Sequence, residues 1–452
     1  MVNLTTQFVG LTLRSPLLVG SAGVTANLEL MKRAQDYGAG GVVVKSLFDF
    51  VPGRKSPTPR FQLLSRTLND PRATTLYSIE QGIALDPAGY AEEIARAKRE
   101  LDIAVIASVD CVQEENWVPY VTTVAQARPD ALEINVSCPH GSIAFTGGEV
   151  EEAMLRVARR VREAVPYLPL IVKLTGQLTF PPGLVLRLQE MGIEGVTLFN
   201  RFTGLEVDLE RERPVLHGGY AGHGGAWSLQ FGLRWIAALA PQVKLDLSAS
   251  GGVMSGYDVA KYLLAGATTV QTVSAVYLHG HRIVERFTRE LVAFMEAKGY
   301  TTVDEFRGRL TDSIVPLERI DRRTRVKVAL TRRVEPPCKW ACPLGKHVQA
   351  FLELVAEGRF AEAYDLLTAC DPFPRLTARV CYAPCEEACT RHLADEPLAI
   401  RRLERLVADW GWKERQEAAR MEELGTGEPR DREHLYPQDK GYRLTGPSLR
   451  ER

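Results

Sequence analysis

The chain has 452 residues, 45% of them apolar, and as many basic as acidic side chains, so its formal net charge is zero. That length suits one large and one small domain, and the apolar fraction is enough to fill both cores. A neutral chain with no apolar run of membrane-spanning length gives no ground for nucleic acid or a membrane as partner. With no basic stretch followed by an apolar one at its start, it is expected in the cytoplasm.

In chain order, short apolar runs at 16–20, 41–46, 104–109, 131–136, 170–174, 195–200, 244–250 and 269–274 read as strands. Amphipathic stretches such as 149–165 and 255–264 lie between them. Eight strand–helix repeats predict an α/β fold, a parallel (β/α)8 TIM barrel over residues 1–306. An open doubly wound sheet is the alternative, although such sheets seldom carry eight even units. Residues 307–333 are highly charged and read as a linker. A small helical domain follows over 334–412, with helical spacing at 348–357 and 361–368, and then a charged tail at 413–452.

Barrel chemistry gathers where strands end and loops begin. Strand four runs into Asn135, Ser137, Cys138, Pro139, His140 and Gly141. A thiol there can serve as an acid–base group or nucleophile, or be a structural cysteine in a turn. Lys45 and Lys173 each end an apolar strand. A lysine in that position needs an anionic partner, such as a reduced flavin, a phosphate, a substrate carboxylate or a neighbouring Glu. Ser250-Gly251-Gly252 and Thr272-Val273-Ser274 end strands seven and eight, where many barrels close backbone N–H groups around a phosphate.

Six of the eight cysteines lie between Cys338 and Cys389. Cys338 and Cys342 are four apart, with Pro343 next, and Cys381, Cys385 and Cys389 repeat that spacing. In a chain without a secretory signal such thiolates suit an iron–sulfur cluster better than disulfides. Zinc is the competing reading, but its ligands usually come as closer pairs.

Residues 1–300 resemble the FMN-binding barrel of the dihydroorotate dehydrogenase family, which includes the pyrimidine-reducing domain of dihydropyrimidine dehydrogenase. The motifs that carry the likeness are Gly20-Ser21-Ala22-Gly23, Lys45-Ser46, Asn135 to Gly141, Lys173-Leu174-Thr175, Phe199-Asn200-Arg201-Phe202-Thr203-Gly204, Gly251-Gly252 and Val273-Ser274-Ala275. His140 lies nearer the dihydropyrimidine side of the family. The resemblance implies FMN at the barrel mouth, contacted by Ser21, Ala22, Gly23, Lys45, Ser46, Lys173, Asn200 and Gly225. Its phosphate would lie on Ser250, Gly251, Gly252, Thr272, Val273 and Ser274. Cys138 would be the acid–base group, with Lys45 also in the catalytic set, and Asn135, Asn200 and His140 would bind substrate. Two positions depart from the pattern. Ser78 stands where the family has a substrate-binding Asn, and Arg201 where it has Ser or Thr. Ser78 cannot replace both ends of an amide, and Arg201 suits a carboxylate or phosphate unless it pairs with Glu206 or Asp208.

The cysteine segment resembles the iron–sulfur domain at the start of the glutamate synthase small subunit and of dihydropyrimidine dehydrogenase. Two-cluster members carry a further Cys pair upstream of Cys338, where this chain has only 331–337. One [4Fe–4S] cluster is therefore expected. Its ligands would be Cys342, Cys381, Cys385 and Glu404, with Cys338 or Cys389 as alternatives to the carboxylate. Cys370 reads as structural, and Cys111 as a helix-side or loop thiol without a role. In such relatives this domain precedes an FAD and NAD(P)H module, and no second dinucleotide fingerprint occurs here. The expected partner is a separate FAD/NAD(P)H reductase subunit or a ferredoxin, in a homodimer or hetero-oligomer. The expected enzyme exchanges hydride at the C5–C6 bond of a pyrimidine. Alternatives are a different anionic or cyclic substrate, or a non-catalytic electron-transfer subunit.

Overall fold

The computed structural model describes residues 2–49, 61–65, 74–78, 83–136, 147–215, 221–315, 319, 336–393 and 396–423. The chain divides into two compact units, Met1–Ile320 and Asp321–Arg452.

The first unit opens with a hairpin of β1 (Thr6–Phe8) and β2 (Leu11–Leu13). Then come β3 (Leu17–Val19), α1 (Leu28–Asp36), β4 (Gly41–Val43), β5 (Leu47–Phe48), β6 (Phe61–Ser65), β7 (Thr74–Ser78) and α2 (Pro87–Glu100). Next are β8 (Ala104–Asp110), α3 (Trp117–Ala125), β9 (Ala131–Asn135), α4 (Gly147–Ala164), β10 (Leu170–Leu174), α5 (Pro181–Glu190) and β11 (Gly195–Leu198). After the short strands β12 (Phe202–Gly204), β13 (Val207–Asp208), β14 (Arg213–Pro214) and β15 (Ala221–Gly224) come α6 (Leu229–Leu239) and β16 (Asp246–Ser250). The unit finishes with α7 (Gly256–Leu264), β17 (Thr269–Thr272), α8 (Ser274–His279) and α9 (Ile283–Lys298).

The eight expected strands are β3, β4, β8, β9, β10, β11, β16 and β17, paired in parallel in the order β4-β3-β17-β16-β11-β10-β9-β8. Pairing of β4 with β8 closes the barrel. Each strand is covered on both faces, which is why they read as apolar runs rather than alternating ones. Helix starts follow local rules. Asn27 caps α1 by accepting from Leu30 N at 3.0 Å, and Ser255 caps α7 by accepting from Asp258 N at 3.2 Å.

Six of the expected strands are shorter by one to three residues, and the two at 41–46 and 195–200 lose their last polar residues. The run 41–46 stops at Val43, since Lys45 N donates to Thr25 O and Ser46 N to Ser21 Oγ at 3.0 Å. The run 195–200 stops at Leu198, beyond which Phe199 N donates to Ser250 O and Asn200 N to Leu174 O, the last residues of the flanking strands β16 and β10. An antiparallel sheet β12-β15-β7-β6 was not expected, because strands of three to five residues give too little alternation to read.

Side-chain parity builds the barrel interior in layers. Phe8, Val9 and Leu13 of the hairpin pack with Leu18, Val43, Ile106, Ala131 and Ile171 in one apolar cluster. This plug closes the end of the barrel where the strands start. A Cβ on Gly195 would lie 2.8 Å from Val9 Cγ1, so glycine is needed for Val9 to enter.

The second unit has α10 (Pro337–Ala341), α11 (Val348–Ala356), α12 (Phe360–Thr368), α13 (Pro374–Val380), α14 (Pro384–Glu387) and α15 (Ile400–Glu423). Phe351, Ala363, Tyr364, Leu367 and Val407 form its core. Gly411 lets the Tyr364 ring lie against α15, where a Cβ would come within 2.3 Å of it. Among the described residues no helix is long and apolar enough to cross a membrane.

Candidate functional site

Two residues beyond each plug residue on a strand is another inward position. Ile106 is followed by Ser108 and Asp110, Ala131 by Glu133 and Asn135, Val43 by Lys45, and Ile171 by Lys173. The interior therefore passes from apolar to polar toward the carboxyl ends of the strands. Lys45, Asp110, Glu133, Asn135 and Lys173 are all at most 5% exposed.

Buried charge demands compensation. Lys173 Nζ lies 3.4 Å from Glu133 Oε1. Glu133 Oε2 accepts from Thr197 Oγ1 at 2.8 Å and from Gln271 Nε2 at 3.0 Å. Glu133 Oε1 has no hydrogen bond, so the ion pair is its contact. The Glu partner foreseen as an alternative for Lys173 thus exists, at the carboxyl end of the strand where a ligand would also bind. Lys45 Nζ lies 5.4 Å from the Phe48 ring centre.

A chain of hydroxyls lies beside Lys45. Ser46 Oγ is 2.9 Å from both Ser21 Oγ and Ser108 Oγ. Ala22 and Gly23 continue the same loop, and Gly23 N donates to Tyr277 OH at 2.8 Å. Across the mouth, Gly251 and Gly252 have φ of 102° and 74°, which favours glycine. A Cβ on Gly252 would lie 2.3 Å from Leu229 N. Tyr262 OH anchors the turn by donating to Gly251 O at 2.8 Å. Thr272 ends β17, Val273 leads into α8, and Ser274 begins it. Gly225 O accepts from Ser228 Oγ at 2.9 Å, and Ser228 Oγ lies against Gly251.

Two buried cations, a row of hydroxyls and a bare glycine turn suit an anionic group with a hydrogen-bonding ring and a phosphate, so the residues fit FMN. Beside these residues two amides meet. Asn135 Nδ2 donates to Asp110 Oδ2 at 2.7 Å, and Asn200 Nδ2 donates to Asn135 Oδ1 at 3.3 Å. The Arg201 guanidinium lies along β15, with its Cζ 2.7 Å from where a Gly222 Cβ would stand. Asp208, considered as its partner, pairs instead with Arg211 at 2.7 Å. Ser78 belongs to β7, in register with Gly222. Cys138 and His140 lie outside the described residues. Burial, together with Asp49 and Asp110, pushes the Cys111 thiol up, which keeps it protonated and inert.

The second unit has its own site. A cavity of ≈ 190 Å³ is lined by Cys342, Cys381, Cys385 and Glu404, with Lys346 and Tyr382 among its other walls. Cys338 and Cys389 are not among its lining residues. Among the described residues no three His, Cys, Asp or Glu side chains converge as they would on one metal ion. Three thiols and a carboxylate around one cavity are a donor set that a four-iron cluster can take. Burial and then Glu404, Cys342 and Cys381 push Cys385 up to about 12. A thiol so placed becomes a thiolate only when a cation compensates it, which is what bound iron supplies. Ala383 N donates to Cys381 Sγ at 3.3 Å.

Burial raises the Glu404 carboxyl, and Lys346 partly offsets the effect. Lys346 Nζ is 3.0 Å from Glu404 Oε2 and 2.9 Å from Asp371 Oδ2, and all three side chains are buried. The contact with Asp371 is an ion pair off the hydrogen-bond direction, since Oδ2 has no hydrogen bond. Asp110, Glu133, Gln271, Lys346 and Asp371 were not singled out from sequence. The first two were legible in principle, as inward positions of β8 and β9, while the others depend on contacts distant in the chain.

Residues 3–295 match the dihydroorotate dehydrogenase family, and residues 331–416 match the family described as dihydropyrimidine dehydrogenase domain II, 4Fe-4S cluster. The catalytic subunit of dihydroorotate dehydrogenase B (NAD(+)) from Pyrococcus abyssi is 27% identical over 301 residues, 66% of this chain and 96% of that one. The NAD-dependent dihydropyrimidine dehydrogenase subunit PreA of Escherichia coli is 28% identical over 336 residues, 71% of this chain and 80% of that one. The chloroplastic dihydropyrimidine dehydrogenase (NADP(+)) of Arabidopsis thaliana is 32% identical over 323 residues, 66% of this chain and 75% of that one.

Proposed function

The chain belongs to the dihydroorotate dehydrogenase family and is an oxidoreductase with an iron–sulfur domain, and from that premise we propose that it acts on the C5–C6 bond of a pyrimidine ring. The observation that carries this reading is the meeting of the Asn135 and Asn200 amides at the barrel mouth, on strands whose neighbours bring Lys173 and Asp110. Amides matched to a ring of alternating N–H and C=O groups would orient it.

FMN would be held by Ser21, Lys45, Ser46 and Lys173 at its ring end and by Gly251, Gly252 and Ser274 at its phosphate. When bound, it supplies hydride exchange at the substrate carbon. The protein's part is proton movement and positioning. Cys138 would take or give the proton at the neighbouring carbon, and Lys45 would hold negative charge that develops in the mouth. One [4Fe–4S] cluster on Cys342, Cys381, Cys385 and Glu404 would pass electrons to or from a reductase subunit carrying FAD and NAD(P)H, or a ferredoxin. The relatives from Pyrococcus abyssi and Escherichia coli are themselves named as subunits, which supports a hetero-oligomer.

A second reading keeps the barrel chemistry but changes the substrate to another anionic molecule bound by Arg201. The flat approach of that guanidinium to Gly222 and the exchange of the family's Asn for Ser78 favour it. Anaerobic mixing with dihydroorotate, dihydrouracil and dihydrothymine in turn, followed by flavin absorbance, decides. Bleaching by one of them supports the pyrimidine reading, and Cys138→Ser should slow that bleaching greatly while FMN stays bound. No bleaching by any, with FMN and iron present, rejects it.

A further inference from the structure

We propose that Asp110 is a positioning residue that fixes the hydrogen-bond polarity of the substrate amides and so makes the mouth discriminate between pyrimidines by their ring N–H groups. This rests on reading the mouth as a pyrimidine site. Asp110 ends β8 on the inward face, 1% exposed, one β-strand from Asn135.

An amide side chain has a donor end and an acceptor end of nearly the same shape, and only its partners decide which way it faces. A carboxylate only accepts. Asn135 must therefore turn Nδ2 toward Asp110, where the separation is 2.7 Å. Its Oδ1 then faces Asn200, which turns its own Nδ2 inward to it at 3.3 Å. Along this line Asp110 as acceptor sets the sense of two amides, from β9 and the end of β11. An amide at position 110 could either donate or accept, and the whole relay could reverse. A site with fixed polarity rejects a ligand lacking the matching N–H, because buried polar groups are left unpaired, whereas a site that can reverse turns a donor toward a neighbouring ring C=O and rejects it less.

The test uses the full-length holoprotein with FMN and cluster. Orotate, uracil and their N3-methyl derivatives are titrated into wild type, Asp110→Asn and Asp110→Glu, following the flavin spectrum. Wild type should bind a parent pyrimidine at least about ten-fold more tightly than its N3-methyl derivative. Asp110→Asn should bind the parent about ten-fold more weakly, the loss expected for a charge-assisted hydrogen bond. Its preference over the methyl derivative should collapse to well below the wild-type ratio, the methyl group's bulk accounting for what is left. Asp110→Glu keeps an acceptor-only group, so it should lose affinity and retain the preference, which damage to the fold alone would not produce. Flavin content and melting temperature report on folding. If Asp110→Asn fails to hold FMN, Asp110→Ser takes its place, with the same collapse expected. Wild-type affinity and preference in the folded Asn or Ser variant would overturn the role of Asp110 and leave the pyrimidine reading intact. Silence of the wild type toward every pyrimidine would overturn both.

Discussion

Replacing Lys173 by Met removes the cation from a pair buried inside the barrel. Lys173 Nζ and Glu133 Oε1 are 3.4 Å apart, and their side chains are 6% and 0% exposed. At that separation the attraction is about 5 kcal/mol for an effective dielectric of 20. Methionine fills most of the lysine stem, so little cavity forms and the loss is electrostatic. Glu133 keeps its hydrogen bonds from Thr197 and Gln271 but no cation, while Oε1, which has no hydrogen bond, stays buried. Breaking a buried pair this way costs about 3 to 5 kcal/mol. Urea unfolding of the flavin-free protein, followed by far-UV circular dichroism, should show the barrel midpoint lowered by about 1 M or more, taking a slope of about 3 kcal/mol per molar. Lys173→Met/Glu133→Gln removes both charges and should recover most of that loss, since a neutral pair of similar volume is often as stable. A single variant within about 1 kcal/mol of wild type, or a double variant no better than the single, would refute the view that the two groups depend on each other.

Gly252→Ala should bind FMN much more weakly, because its Cβ would come within 2.3 Å of Leu229 N at a φ of 74°. The flavin-to-protein ratio checks it, with Gly183→Ala, which meets nothing within 4 Å, expected to behave as wild type. Serine at Cys342, Cys381 or Cys385 should lower bound iron and visible absorbance, whereas Cys370→Ser should leave both unchanged, since Cys370 does not line the cavity. Lys346→Met should destabilise the second unit by about 3 to 5 kcal/mol, as Asp371 and Glu404 share that buried cation, and thermal unfolding measures it.

The barrel was legible because its strands and helices carry their own local signals. Apolar runs such as 104–109 and 170–174, each followed by a helix, admit few other folds. The glycine turn at 251–252, the lysines at strand ends and the cysteine spacing were legible too, because each is a pattern of near neighbours. The sheet that brings β12 and β15 to β7 was not, because those two strands lie 124 or more residues from β7 and each is too short to show a period. The site was half legible. Asn135 and Asn200 could be placed at strand ends, but nothing in their motifs says that they touch each other or that Asp110 accepts from Asn135.

The sequence by itself determined the eight strand–helix units, the cysteine-bearing helical unit and the residue types at the strand ends, since hydrophobic period and short motifs are local properties of a chain. Tertiary structure alone decided the partners. Closing β4 onto β8 turns every second residue of separate strands into one interior, where Glu133 meets Lys173, Thr197 and Gln271 and where Asp110 meets Asn135. In the second unit, packing of the helices surrounds one cavity with Cys342, Cys381, Cys385 and Glu404 and leaves Cys338 and Cys389 outside it. Which polar groups compensate one another is set by contacts between residues far apart in the chain, and in a buried setting that choice governs both stability and chemistry.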